Sequence, residues 1–135
     1  MEQRETGMKT IEELGRERYL LLETRKRDGS WVGTPVNIVV DGGRGFFKSY
    51  DASGKAKRLR NFPDVRVAPC TMRGRVTGEF VSGRATLLDG ESAEVSRAAK
   101  LLARKHPLLQ GRLVPAFHRS KGYKTLFYEL TLERN

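Results

Sequence analysis

A chain of 135 residues with 38% hydrophobic and 31% charged residues has room for one domain with a sizeable core, and too much apolar content for a disordered chain. Its 26 Lys and Arg against 16 Asp and Glu leave a net charge of +10, which points to anionic ligands and keeps nucleic acid in view. One cysteine and two histidines exclude a disulfide framework and a conventional zinc cluster, and no apolar run nears the roughly 18 residues of a membrane span.

In chain order, residues 1–9 are charged and carry no apolar leader segment, so the expectation is a flexible start to a cytoplasmic protein. Thr10-Ile11-Glu12-Glu13 has the form of a capping box, which predicts a short helix ending near Gly15. Tyr19 to Thr24 predicts a strand, and Arg27-Asp28-Gly29-Ser30 a turn. Trp31 to Val40 predicts one further strand, with Val32, Thr34, Val36, Ile38 and Val40 on one face. Asp41-Gly42-Gly43 turns the chain into a strand from Arg44 to Tyr50. Ser53 to Asn61 predicts a short helix capped by Ser53 and stopped by Pro63. Strands follow at Val65 to Met72 and Glu79 to Leu88, joined through Gly74 to Gly78. Glu91 to Lys105 predicts the one longer helix, with Val95, Ala98 and Leu102 as its apolar stripe and Pro107 as its stop. Leu108 to Phe117 predicts a second short helix, and Tyr123 to Leu132 the last strand, with Leu126, Tyr128, Leu130 and Leu132 on one side. This order predicts a mainly β, α+β single domain over 1–135, an antiparallel sheet closed toward a barrel.

The charge is concentrated between Arg44 and Arg75, which hold nine Lys and Arg and only two acids. Within that stretch Ser53-Gly54-Lys55-Ala56-Lys57 places two lysines in the first turn of a helix, with Lys48 and Ser49 on the strand before it. Free backbone N–H groups and the positive end of the helix dipole make such a start an anion site; a solvated helix end explains the same pattern. It is not a P-loop, because Ser49 and Ala56 stand where glycine and a hydroxyl residue belong. Pro35, within Gly33-Thr34-Pro35-Val36-Asn37, implies a sheet edge, either open to a ligand or guarded against aggregation. Cys70 reads as a small core residue and His106 as a helix-end residue, and neither histidine has a carboxylate partner nearby in sequence. The basic stretch lacks the aromatic pattern of an RNA-binding sheet, so nucleic acid is the least favoured partner.

Taken together, Tyr19-Leu20-Leu21-Leu22, Asp28-Gly29, Gly33-Thr34-Pro35-Val36, Val40-Asp41-Gly42-Gly43, Ser53 through Arg60, Pro63-Asp64-Val65-Arg66, Ala68-Pro69-Cys70 and Arg73-Gly74-Arg75 resemble the pyridoxamine 5′-phosphate oxidase-like superfamily of flavin and deazaflavin oxidoreductases. The likeness is nearest to the class that uses the deazaflavin coenzyme F420. It implies a six-stranded split β-barrel and a homodimer with two cofactor sites at the subunit interface. It makes Lys48, Ser49, Ser53, Lys55 and Lys57 the phosphate site, lets Arg58 or Arg60 reach an anionic tail, and sets Thr34, Pro35, Val36 and Asn37 beside the planar ring. The implied activity is hydride transfer from the reduced deazaflavin to an electrophilic carbon of a small organic substrate. FMN and tetrapyrrole binding are the alternatives on the same fold.

Overall fold

The computed structural model describes residues 10–106 and 124–133. Helix α1 (Ile11–Leu14) is closed by the expected capping box: Thr10 accepts from the Glu13 N–H and Glu13 from that of Thr10. Strands β1 (Leu20–Arg25), β2 (Trp31–Val36), β3 (Val39–Asp41) and β4 (Arg44–Tyr50) follow, then α2 (Gly54–Asn61), β5 (Asp64–Pro69), β6 (Val81–Leu87), α3 (Ala93–Lys105) and β7 (Thr125–Leu132). The seven strands form one sheet in the order β2-β1-β5-β6-β7-β4-β3, every pair antiparallel. The strand count is therefore seven, not six. The expected helix over 108–117 lies outside the described residues, as do residues 1–9 and Pro107.

The extra strand comes from dividing Trp31 to Val40. β2 pairs with β1 at one edge of the sheet, while β3 pairs with β4 at the other. Only Asn37 and Ile38 join them. Flat, the two edges would stand about 29 Å apart, at about 4.8 Å per strand. Three peptide steps span at most ~11 Å. The sheet must therefore curl until its edges nearly meet, and with no ladder between β2 and β3 the barrel is split along that seam. Pro35 sits on the β2 edge, where its missing N–H interrupts no ladder.

Curling creates two cores. Leu20, Leu22, Val36, Ile38, Phe47, Val67, Tyr128 and Leu130 fill the barrel interior. Phe46, Val39 and Phe127 leave the other face and meet Val95, Ala98 and Leu102 of α3. The adjacent Phe46 and Phe47 are thus both buried, one per face of β4. Phe47 stacks on Tyr128 at 5.1 Å between ring centroids. Ser92 caps α3, whose first residue, Ala93, lies two residues inside the expected start, and His106 ends it with its backbone N–H on the Leu102 carbonyl. Beside His106, the Lys105 ammonium donates to the carbonyls of Gly15 (2.6 Å), Glu17 (3.0 Å) and Ile38 (2.7 Å). One side chain so ties the end of α3 to the α1–β1 link and to the β2–β3 seam.

β5 ends at Pro69 rather than Met72, because Cys70 makes only an isolated bridge to Val76 before the chain turns at Gly74. Cys70 is buried, and burial, with Glu17 nearby, pushes its thiol pKa up. It should stay protonated and unreactive. Cys70→Ser should therefore fold with a modest loss of stability and the same ligand binding. Reagent labelling of native Cys70 should be slow until denaturant is added.

Candidate functional site

The α2 N-terminus is built by local sequence. Ser53 lies in extended backbone and its hydroxyl accepts from the Ala56 N–H at 3.0 Å. Ser49, buried on β4, shares a 2.8 Å hydrogen bond with Ser53, so strand end and helix start are locked together. The N–H groups of Gly54 and Lys55 precede the first helical acceptors, as at any helix start. Arg58, one turn later, folds back: a Cβ on Gly54 would stand 2.9 Å from its guanidinium. Its Nε donates to Thr24 of β1 at 2.6 Å. Lys55 is half-buried, and desolvation, then the Arg58 charge, lowers its pKa. Two crowded cations with no carboxylate paired to them among the described residues form a site that an anion relieves.

The charge continues past α2. A groove of about 410 Å³ is lined by Arg25, Lys26 and Arg27 from the β1–β2 hairpin and by Gly54, Lys57, Arg58 and Asn61. Five of these seven residues are cations and none is an acid. Arg25-Lys26-Arg27 is visible in the sequence as a basic run, but nothing local relates it to α2 thirty residues on. The packing of α2 on the end of β1 does so, through the Thr24–Arg58 contact.

Thr34, Pro35, Val36 and Asn37 lie farther along the same strands. The register sets Thr24 opposite Val32, Leu22 opposite Thr34 and Leu20 opposite Val36. Thr34 and Val36 are thus two and four residue steps from the Arg58 contact row, roughly 7 and 14 Å along the sheet. Asn37 is held at the seam, donating from Nδ2 to the Arg18 carbonyl at 3.2 Å. The arrangement provides an anion anchor at one end and an open strand edge a ring-length away. Lys48 is not gathered in. The two-residue period sends it from β4 on the face opposite Ser49, with Phe46 and α3, and burial lowers its pKa there.

The basic stretch from Arg44 to Arg75 is not one surface. Arg44 is paired with Glu129 and Glu94. Arg66 is paired with Glu23 and stacked on Trp31 and Phe80. Among the described residues no group of three or more His, Cys, Asp and Glu could hold a metal, and no helix is long and apolar enough to cross a membrane.

The Lys55 pKa fixes a sign. The protonated amine is the form that holds an anion, and in the free protein it loses its proton at lower pH than an ordinary lysine. Affinity for inorganic phosphate or a phosphorylated ligand should fall as pH rises from neutral into that lowered range, with proton uptake on binding. Titrations at a series of pH values in two buffers of different ionisation heat check this; Lys55→Ala should abolish the uptake.

No protein-family model and no curated protein matches the sequence. Solved structures do. The heme storage protein HutZ of Vibrio cholerae aligns with a TM-score of 0.67 at 15% identity, over 93% of this chain and 89% of that one. A candidate pyridoxamine 5′-phosphate oxidase from Listeria innocua aligns at 0.62 and 16% identity, over 90% and 88%. An F420 reductase aligns at 0.61 and 15% identity, over 94% and 96%. The chain has the split-barrel fold of the pyridoxamine 5′-phosphate oxidase-like group.

Proposed function

We propose that the protein binds coenzyme F420 and acts as an F420-dependent reductase of a small organic substrate. The observation that carries this reading is the cationic groove that runs on from the α2 start, with five cations and no acid. A single phosphate, as in FMN, needs only Ser53, Lys55 and the helix N-terminus; an anionic tail beyond the phosphate has use for Arg25, Lys26, Arg27, Lys57 and Arg58 as well. When bound, the reduced deazaflavin supplies a hydride from its C5 carbon. The chain's own task is to anchor, orient and shield. Ser53, Lys55 and the free N–H groups fix the phosphate. The backbone of Thr34 to Asn37 meets the polar edge of the ring. The strand face between them excludes water from the reacting pair. No catalytic acid is required, since solvent supplies the proton.

The same reading makes the protein a homodimer whose cofactor sites lie at the subunit interface. Light scattering should give about twice 15.3 kDa. The deciding experiment titrates purified protein with F420, FMN and heme, followed by fluorescence or absorbance. F420 should bind tightest, and its advantage over FMN should shrink as salt rises. Equal affinity for F420 and FMN at low salt, or tighter heme binding, sinks the reading.

A further inference from the structure

The end of α3 carries a polar group that the fold leaves unsatisfied. His106 is 6% exposed, and its Nε2 has no hydrogen-bond partner among the described residues. A buried, unpaired side-chain nitrogen is uncommon and costs stability, so one that persists calls for a reason. Its surroundings are cationic. Lys105 precedes it on α3, and Arg18 acts on it from the link between α1 and β1. Glu17, the acid on that link, acts on Lys105 and not on His106. Arg16 and Arg104, the remaining charges on these two segments, are exposed. Desolvation first, then the Lys105 charge, pushes the His106 pKa below the ordinary 6.5; Arg18 adds to the shift and the Ile38 carbonyl opposes it.

The neighbour of this histidine holds three segments together. The Lys105 ammonium donates to Gly15 and Glu17 of the α1–β1 link and to Ile38 of the β2–β3 seam. The link lies flat on β3, where a Cβ on Gly15 would stand 2.6 Å from Val40 Cγ2. Leu102, one turn before His106, is fully buried. A neutral imidazole is tolerated here, since its bare nitrogen asks for no acceptor. A proton on Nε2 makes it a buried donor with no acceptor, and adds a third cation beside Lys105 and Arg18. Acid leaves those two as the cations they already are, so the group that changes is His106. Relief comes when the last turn of α3 moves out and the ring is hydrated, at the expense of the Lys105 contacts.

We propose that the end of α3 is a pH-sensitive latch on the barrel seam. With His106 neutral, Lys105 ties the seam to the α1–β1 link; with His106 protonated, the last turn of α3 lets go of both. The folded chain takes up this proton less readily than the unfolded chain. The latch is therefore at full strength above the ordinary histidine pKa and is lost as pH falls through the lower folded value.

Hydrogen exchange of the full chain, resolved by peptide and corrected for the intrinsic effect of pH, tests this. Between about pH 7.5 and about pH 5, protection of residues 102–106 and 37–39 should fall by ~10-fold or more, while β1 and β5 keep theirs. His106→Gln should flatten that dependence, and His106→Phe, which has no titrating group, repeats the test with an apolar ring. Lys105→Met should lack the protection at every pH. Glu17→Gln and His118→Gln, which remove the other acid on the link and the other histidine of the sequence, should leave the fall in place. In the wild type, the His106 ring followed by NMR should titrate below 6.5, in step with the loss of protection. Protection that is equal at both pH values, a fall that survives in both His106 variants or vanishes in either control, or a ring that titrates at or above 6.5 each overturns the proposal.

Discussion

Phe47→Ala should destabilise the protein by about 3–5 kcal/mol, the largest effect of any single truncation discussed. Phe47 is 1% exposed and lies at the centre of the barrel core. Its ring lies nearly parallel to that of Tyr128, 12° between planes, and such pairs add about 0.5–1.5 kcal/mol beyond burial. The cavity cannot collapse easily, because β4 is held on both sides, by β3 and by β7. Against a total stability of about 5–15 kcal/mol, that loss leaves a barely folded chain. Chemical denaturation should show it. Phe47→Leu, which keeps most of the volume, should cost less than half as much. An alanine variant that unfolds at the wild-type denaturant concentration would mean that the barrel interior is not packed as described.

Lys55→Ala should weaken F420 binding by roughly 10- to 150-fold, from the loss of a charge-assisted hydrogen bond of about 1.5–3 kcal/mol. The lysine is already partly desolvated, so less of its charge is lost to water than for an exposed residue. Lys57→Ala should lose less, because Lys57 is exposed on the groove side and shares its work with four other cations. Arg73→Ala and Arg75→Ala remove equal charge from the exposed turn around Gly74 and serve as controls. Fluorescence titration at two ionic strengths separates the cases. Equal loss in all four variants would show a diffuse field; no loss for Lys55→Ala would remove the helix start from the site.

What could be read from the sequence was what neighbouring residues decide among themselves. Thr10 with Glu13, and Ser53 with Ala56, set helix starts through contacts three residues long. The alternation Leu126, Tyr128, Leu130 and Leu132 points to one core on any sheet, and it does so here. The seam at Asn37–Ile38 was not readable, because the alternation of Val32, Thr34, Val36 and Ile38 passes through it unbroken. Only the change of partner, from β1 to β4, divides that strand. The candidate site divides the same way. Ser53, Lys55 and Lys57 announce themselves by spacing. The contribution of Arg25 to Arg27 depends on a hairpin folding over α2, and the departure of Lys48 depends on which face of β4 meets α3. Lys105 is the clearest instance. In sequence it is a base at a helix end; in the fold it holds carbonyls 67 to 90 residues away.

The place of β7 governs when the barrel can form. Among the described residues it is the last strand in chain order, yet it lies between β6 and β4, and its ladders alone join the β2-β1-β5-β6 half of the sheet to the β4-β3 half. Gly45 finds Leu130, 85 residues on, and Gly83 finds Leu132, 49 residues on. A chain emerging from the ribosome can make the β1–β2 and β3–β4 hairpins early, but Phe47 waits for Tyr128 and the interior stays wet until β7 arrives. Closure is therefore a late, non-local step with a large loop entropy, the kind that slows folding. Until it happens, β4 and β6 each present an unpaired edge, and a nascent chain is most exposed to mispairing at those two strands.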